Sequence, residues 1–332
     1  MTPAAGEARA VVMRGYGPPG VLAYDRVPLP SLGPDEVRIR AIASAVNHTD
    51  LRIRAGEWPV RKPDPFPYVP GVEVVGEVEA AGAAVRGVRP GERVITMMQG
   101  LGGVRAGRPG GYAEYVTVAA AAVAPVPAGV DPLDMAAVGL VGVTAHEGLR
   151  RIGPLAGRRV LVTGAAGGVG SAAVAVARAR GALVTGLVSR PEQADYVRAL
   201  GADRVIVAPK DGPPRLDPAS VDGVLDAVGG GLFGPCVEAL RPGGTLSLVG
   251  AVAGGDVRFD AWGLIRPVTL TGYSSEDLDG PALRGAVAAL AGWLMDGSLK
   301  PPARAAVPLA EAPRAHALLE AGGVTGRVLL VP

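Results

Sequence analysis

The sequence predicts an α/β protein with a doubly wound parallel sheet, preceded by an irregular β-rich region. Three observations carry this. Between about 159 and 273, short β-branched runs alternate with helical stretches, the pattern of a parallel sheet with crossover helices. A glycine-rich turn, Gly164-Ala165-Ala166-Gly167-Gly168-Val169-Gly170, joins the first of those runs to an alanine-rich helix. Before 126, strand-like runs are separated by proline and glycine clusters, with few helical signals.

Taken in order, ARAVVM (8–13) and DEVRIRAIASAV (35–46) read as strands. NHTDLRIRAGEWP (47–59) reads as a short helix capped by Asn47 or Thr49 and stopped by Gly56. VEVVGEVEAAG (72–82) reads as a strand pair, GERVITMM and YAEYVTV as further strands, and 99–111 as a loop. From 127 the apolar spacing turns helical, with Asp131 or Pro132 as the start signal. Strands are then expected at 159–164, 182–188, 203–207, 222–228, 245–251 and 268–273, with helices between most of them. The tail adds helices near 281–296 and 309–321, then a strand, GRVLLVP, which periodicity alone cannot place.

Composition narrows the function classes. At 332 residues the chain is long enough for two domains. A net charge of +2 with 19% charged residues gives no basis for nucleic acid or an anionic membrane as a partner. There is no apolar run of transmembrane length, and the start lacks the regions of a signal peptide, so a soluble cytoplasmic protein is expected. The single cysteine, Cys236, excludes an internal disulfide and any multi-cysteine metal site, and reads as a buried small hydrophobe.

The glycine turn carries the chemistry. Gly167, Gly168 and Gly170, opening a helix after a strand, let backbone N–H groups approach a diphosphate where the helix dipole favours an anion. This predicts a dinucleotide site. The next strand ends Leu187-Val188-Ser189-Arg190, with no acid to hold ribose hydroxyls before Glu192. Arg190 can pair with a 2′-phosphate through its planar fork and Ser189 can donate to it, so NADPH is expected rather than NADH.

VNHTDLRIRAGEWP, VPGVEVVGEVEAAG, GGYAEYV, AAVGLVGVTAHEGL, VLVTGAAGGVG and the closing GRVLLV together resemble the medium-chain dehydrogenase/reductase superfamily, in its zinc-free quinone oxidoreductase (zeta-crystallin-like) branch. The resemblance spans nearly the whole chain. It implies a GroES-like catalytic domain of 1–126 and 275–332 around a Rossmann NADPH-binding domain of 127–274, with the active site in the cleft between them. It also implies a homodimer through the last Rossmann strand, 268–273.

Zinc-dependent members carry cysteine at Asn47, Gly-His-Glu at Gly71-Val72-Glu73, a second ligand cysteine near Leu140, and a four-cysteine lobe in 97–111. Of these donors only the Glu73 carboxylate survives; His48 is the one alternative ligand. No metal is therefore expected. By resemblance, the catalytic residues are Asn47, whose amide would donate to a substrate carbonyl, and Thr144, beside the nicotinamide. Asp50 is expected to be structural, opening a helix where a carboxylate satisfies free N–H groups. The cofactor contacts are Asn47, Thr144, Gly164, Ala165, Gly167, Gly168, Val169, Gly170, Ser189, Arg190, Val249 and Gly250. Trp58, Met97, Trp262 and Tyr273 are the candidate substrate pocket.

Two tyrosines often seen in bacterial quinone reductases fall at Arg52 and Trp58, and the lysine common near Gln193 is missing. Without a metal, hydride addition to a conjugated acceptor is favoured over plain alcohol oxidation, because charge spreads onto an oxygen and solvent supplies the proton. A quinone or α,β-unsaturated carbonyl is the expected substrate. Two alternatives stand: an enoyl-thioester reductase, with Arg52, Arg54, Arg61 and Lys62 as a rim for CoA-type phosphates, and a non-catalytic NADPH-binding protein.

Overall fold

A computed structural model describes residues 6–58, 65–98, 101, 107–209, 212, 214–322 and 324–332. The chain forms two compact units: Met1–Leu140 with Ser275–Ala291 and Ala303–Pro332, and Val141–Ser274 with Gly292–Pro302. Residues 127–140 thus belong with the first unit, and 292–302 with the second.

In the first unit β1 (Glu7–Met13) and β2 (Leu22–Pro28) make an antiparallel hairpin. A mixed sheet is built on β3 (Glu36–Ala45), β4 (Glu73–Ala81) and β5 (Arg93–Met97), with β6 (Tyr115–Ala119) against β3 and β7 (Ala124–Pro125) against β5. Its apolar filling includes Val37, Ile39, Val74, Val94, Val116 and Val118, each 3% exposed or less. At about 25 cal/mol per Å² of buried apolar surface, such β-branched side chains contribute the bulk of this unit's stabilisation.

The stretch 72–82 is one strand, not a pair. Within it, a Cβ on Gly76 would meet the Arg40 carbonyl oxygen at 2.3 Å. The glycine lets β3 approach closely, and the pairing register shifts beside it. α1 (His48–Ala55) follows β3 directly and stops at Gly56, whose φ of +80° is the left-handed cap expected of glycine.

The closing strand finds its place here. β15 (Arg327–Val331) pairs antiparallel with β3, Leu329 opposite Ala45, and parallel with β14 (Arg304–Pro308). Arg327 is thereby delivered to the head of α1. α2 (Pro132–Arg150) is interrupted at Gly139, where a Cβ would lie 2.0 Å from Glu73 Oε2. The helix breaks because a buried carboxylate occupies that space. α6 (Gly280–Met295) and α7 (Ala312–Glu320) are the two tail helices.

The second unit is a six-stranded sheet. β8 (Arg159–Val162), β9 (Leu183–Val188), β10 (Arg204–Val207), β11 (Val221–Asp226), β12 (Leu240–Leu248) and β13 (Thr269–Gly272) lie in the order β10-β9-β8-β11-β12-β13, every pair parallel. Crossovers use α3 (Gly168–Ala179), α4 (Ala194–Ala199) and α5 (Phe233–Ala239). Cys236 is fully buried among Leu161, Val224 and Leu246, and burial raises its thiol pKa, which suits an inert core residue. Among the described residues no helix is long and apolar enough to cross a membrane.

Candidate active site

In the second unit the glycine turn lies at the carboxyl end of the parallel strands, where open α/β sheets bind ligands. Gly164 takes φ +57°, and a Cβ on Gly170 would sit 2.0 Å from the Gly164 carbonyl oxygen. Only glycine at 170 lets α3 begin so close to the turn. Gly167 precedes α3 with no side-chain cap, so the helix's leading N–H groups, at Gly168, Val169 and Gly170, are set for an anion. Thr163 and Asp226 brace the turn. The Thr163 hydroxyl donates to Asp226 Oδ1 at 2.6 Å, and that same oxygen accepts from the N–H groups of Val228 and Gly229. The sequence pattern did not single out either residue, although each ends a strand as a polar residue after an apolar run.

Ala165 N–H donates to Leu187 O, and Val249 N–H to Asp226 O, so the loops after β8, β9, β11 and β12 converge. A Cβ on Gly250 would approach the Ala227 carbonyl at 2.9 Å. Ser189 and Arg190 are exposed at the end of β9. Gln193 holds that bend, accepting from Arg190 N–H at 3.2 Å and from the Ser189 hydroxyl at 3.4 Å. Changing Gly170 to alanine is expected to push α3 off the turn and weaken NADPH binding at least about tenfold, about 1.4 kcal/mol, in a fluorescence titration. Undiminished affinity would contradict this packing argument.

Thr144 is buried in α2. The Tyr273 ring lies 5.6 Å from the guanidinium of Arg151, the residue that follows α2. Burial, and then Glu147, push the Tyr273 phenol up to about 12, so it is a poor acid at neutral pH. Trp262 is 75% exposed on a short turn, Ala261–Leu264.

The first unit carries a buried polar cluster at the head of α1. Asn47 (5% exposed), Glu73 (1%) and Arg327 (4%) meet there. Asn47 Nδ2 donates to Glu73 Oε1 at 2.8 Å and to Ala45 O at 3.1 Å. Arg327 donates to Asn47 Oδ1 at 2.9 Å and to Glu73 Oε1 at 3.2 Å. Leu140 N–H closes the set on Glu73 Oε2 at 2.7 Å. Burial raises the Glu73 pKa, against the pull of Arg327, Asn47 and the Leu140 amide. The expected donation from Asn47 to a substrate carbonyl is therefore corrected: both amide protons are already committed inside the protein. The amide acts as a fixed bracket between β4 and β15. Arg327 was missed in the sequence, because an arginine opening a short strand gives no local sign of burial.

Asp50 is fully buried and caps α1 as expected, accepting from Asn47 N–H at 2.9 Å and from Val72 N–H at 3.0 Å. Burial raises its pKa to about 7, working against those donors. A carboxyl whose folded pKa is raised contributes stability below its unfolded value near 3.9 and loses it as pH rises through about 7. The stability advantage of the wild type over Asp50→Asn is expected to shrink between about pH 5 and 8 in urea titrations. A widening gap would reverse the assignment.

Met97 is directly opposite Glu73 across β4 and β5, so the two side chains share a face. Trp58 is half-buried just after α1, its N–H on Arg52 O. Arg54, expected on a phosphate rim, is instead 2% exposed and turned into the protein; Arg61 and Lys62 lie outside the described residues. The zinc positions hold no suitable donor set: Val72 and Leu140 are apolar, and both Glu73 oxygens already accept internal hydrogen bonds. His48 is exposed at the start of α1, and no group of three metal-capable side chains occurs among the described residues.

Comparison with known proteins adds an independent line. A model of the alcohol dehydrogenase GroES-like domain matches residues 33–128, and one of the zinc-binding dehydrogenases matches 168–276. The chloroplastic NADPH-dependent alkenal/one oxidoreductase of Arabidopsis thaliana is 30% identical over 98% of this chain and 80% of its own length. The acrylyl-CoA reductase of Ruegeria pomeroyi is 33% identical over 76% of this chain and 77% of its own. A solved mycobacterial quinone oxidoreductase superposes with a TM-score of 0.84 at 33% identity, covering 98% of this chain and all (100%) of the other. With two domain models in the expected places and relatives aligned over nearly its full length, the chain belongs to the medium-chain dehydrogenase/reductase superfamily, in its quinone oxidoreductase branch.

Proposed function

We propose that this protein is a zinc-independent, NADPH-dependent reductase that transfers hydride to a quinone or an α,β-unsaturated carbonyl. The observation that carries the reading is the glycine cradle, with its uncapped helix and the exposed Ser189-Arg190 pair at the next strand end. The relatives, an NADPH-dependent alkenal/one oxidoreductase and a quinone oxidoreductase, agree with it. NADPH, when bound, supplies the hydride. The first turn of α3 binds its diphosphate, and Arg190 and Ser189 bind its 2′-phosphate. As the family resemblance implies, Thr144 would hold the nicotinamide and Asn47 would serve the substrate by its position, and solvent would deliver the proton. Trp58 and Met97 contribute apolar lining. Because the Glu73 oxygens serve Asn47, Arg327 and Leu140, the substrate is activated by conjugation rather than by a metal.

The protein is further proposed to be a cytoplasmic homodimer joined through β13. That strand ends the sheet with one edge unpaired by the described residues, and the exposed Trp262 (75%) and Ile265 (71%) precede it in the chain. Light scattering that finds a monomer would remove this part.

The test is NADPH oxidation with 9,10-phenanthrenequinone and with a simple enone, alongside crotonyl-CoA and elemental analysis for zinc. Turnover of the quinone or enone by metal-free protein is expected. Activity confined to the CoA ester would install the thioester reductase in its place, a reading favoured by the acrylyl-CoA reductase relative but weakened by the withdrawal of Arg54. No turnover with any acceptor, despite NADPH binding, would leave the non-catalytic module. Stoichiometric zinc would overturn the metal-free mechanism.

A further inference from the structure

The head of α1 is tied to α7 by buried groups whose hydrogen-bond directions can be deduced. Arg54 is 2% exposed; its Nε donates to Gly17 O at 3.1 Å, and its fork reaches Glu320 on α7. Its remaining nitrogen lies 3.3 Å from His316 Nδ1. A guanidinium has only donors and stays charged, so Nδ1 must be the acceptor and carry no proton. His316 is fully buried, and burial together with the neighbouring Arg54 lowers its pKa to about 3, keeping the ring neutral. Its single proton is then on Nε2, 3.2 Å from the Tyr112 hydroxyl, and donates to that oxygen. With its oxygen accepting from His316, the Tyr112 hydroxyl is left to turn its proton toward Asp50, whose charge acts on it. Asp50 accepts from Asn47 N–H and Val72 N–H, with the Tyr112 hydroxyl as its neighbour.

We propose that Arg54, His316 and Tyr112 are positioning residues for the reaction: a one-way chain of hydrogen bonds, set by the fixed charge of Arg54, that orients Asp50 to hold the head of α1 and thereby Asn47. This rests on the reductase reading for its functional consequence, though not for the chain itself. The chain joins α7, α1, the segment before β6 and the start of β4, four pieces separated by up to 270 residues (Asp50 to Glu320). Reversing any one link leaves a buried donor facing a donor or an acceptor facing an acceptor, so only one arrangement satisfies all members. Other charged and titratable groups near Asp50 are Glu73 with its partner Arg327, and Tyr68.

Two variants separate positioning from packing. His316→Gln keeps one acceptor for Arg54 and one donor for Tyr112; His316→Leu keeps the volume and loses both. In full-length protein, the glutamine variant is expected to keep kcat within about threefold of wild type. The leucine variant is expected to lose about tenfold in kcat, with NADPH Kd changed less than about twofold. Hydrogen–deuterium exchange over residues 46–52 should rise in the leucine variant only. Nitrogen NMR of wild-type His316 should show the neutral ring protonated at Nε2 from about pH 5 to 9. A ring protonated at Nδ1, a ring that titrates in that range, or equal behaviour of the two variants in exchange and kcat overturns the proposal. If the wild type reduces neither quinones nor enones, the reductase reading fails on its own, and the tautomer and exchange measurements still decide whether the chain holds α1.

Discussion

Replacing Arg327 by alanine is expected to cost about 3–5 kcal/mol of folding free energy, the range for removing one partner of a buried ion pair. Glu73 and Arg327 are each almost wholly buried, 3.2 Å apart, and share Asn47 as a common neighbour. Without the guanidinium, the Glu73 carboxylate keeps only the Asn47 amide and the Leu140 N–H, and stays out of water. The cost is read as a fall in urea midpoint at unchanged slope. A paired change, Glu73→Gln with Arg327→Met, should recover much of the loss, because exchanging a whole buried pair for neutral groups is often close to neutral. A loss below about 1 kcal/mol for Arg327→Ala would mean that the pair is effectively solvated.

Replacing Arg190 by alanine is expected to lower kcat/KM with NADPH by about 30- to 100-fold, about 2–3 kcal/mol, the worth of charge-assisted hydrogen bonds to a phosphate. The loss should fall mainly on KM, because the 2′-phosphate is remote from the transferred hydride and binds ground and transition states alike. Activity with NADH should change less than about twofold. Ser189→Ala, removing one neutral donor, should cost less, about three- to tenfold. The experiment compares both cofactors in both variants at one ionic strength, since an exposed arginine is screened by salt. Equal losses with NADPH and NADH would show that Arg190 holds the loop rather than the phosphate.

Much of the second unit was legible in the residues themselves. A parallel sheet buried on both faces needs continuous apolar strands, and the anion cradle needs glycine at fixed spacing, so local pattern and tertiary role coincide. The strands at 182–188 and 203–207 fall within a residue of where periodicity put them. Gly56 reads as a helix stop because a left-handed residue is required there. The strand pair expected over 72–82 is one strand, because a glycine needed for close approach of two strands, as at Gly76, does not interrupt it.

The head of α1 was legible only in part. Asp50 as a cap followed from its position three residues after Asn47, a local rule. Asn47 as a hydrogen-bond donor to substrate did not survive, since Glu73, Arg327 and the Ala45 carbonyl claim its polar atoms. Arg54 reads as one of several basic residues near a loop, yet it is among the largest fully buried side chains of the protein. Its burial depends on Gly17, His316 and Glu320, none of which is near it in the chain.

The sequence by itself determined the parallel α/β sheet and the glycine turn that opens α3, because each is written in a single local segment whose spacing meets a geometric demand. Only the tertiary structure decided where the closing strand pairs, that Arg327 and Arg54 are buried rather than solvated, and that Asn47 is bracketed instead of free. Those outcomes depend on charged groups, separated by tens to hundreds of residues, that are stable out of water only when each finds its partner, and partner choice is fixed when the chain ends are brought together.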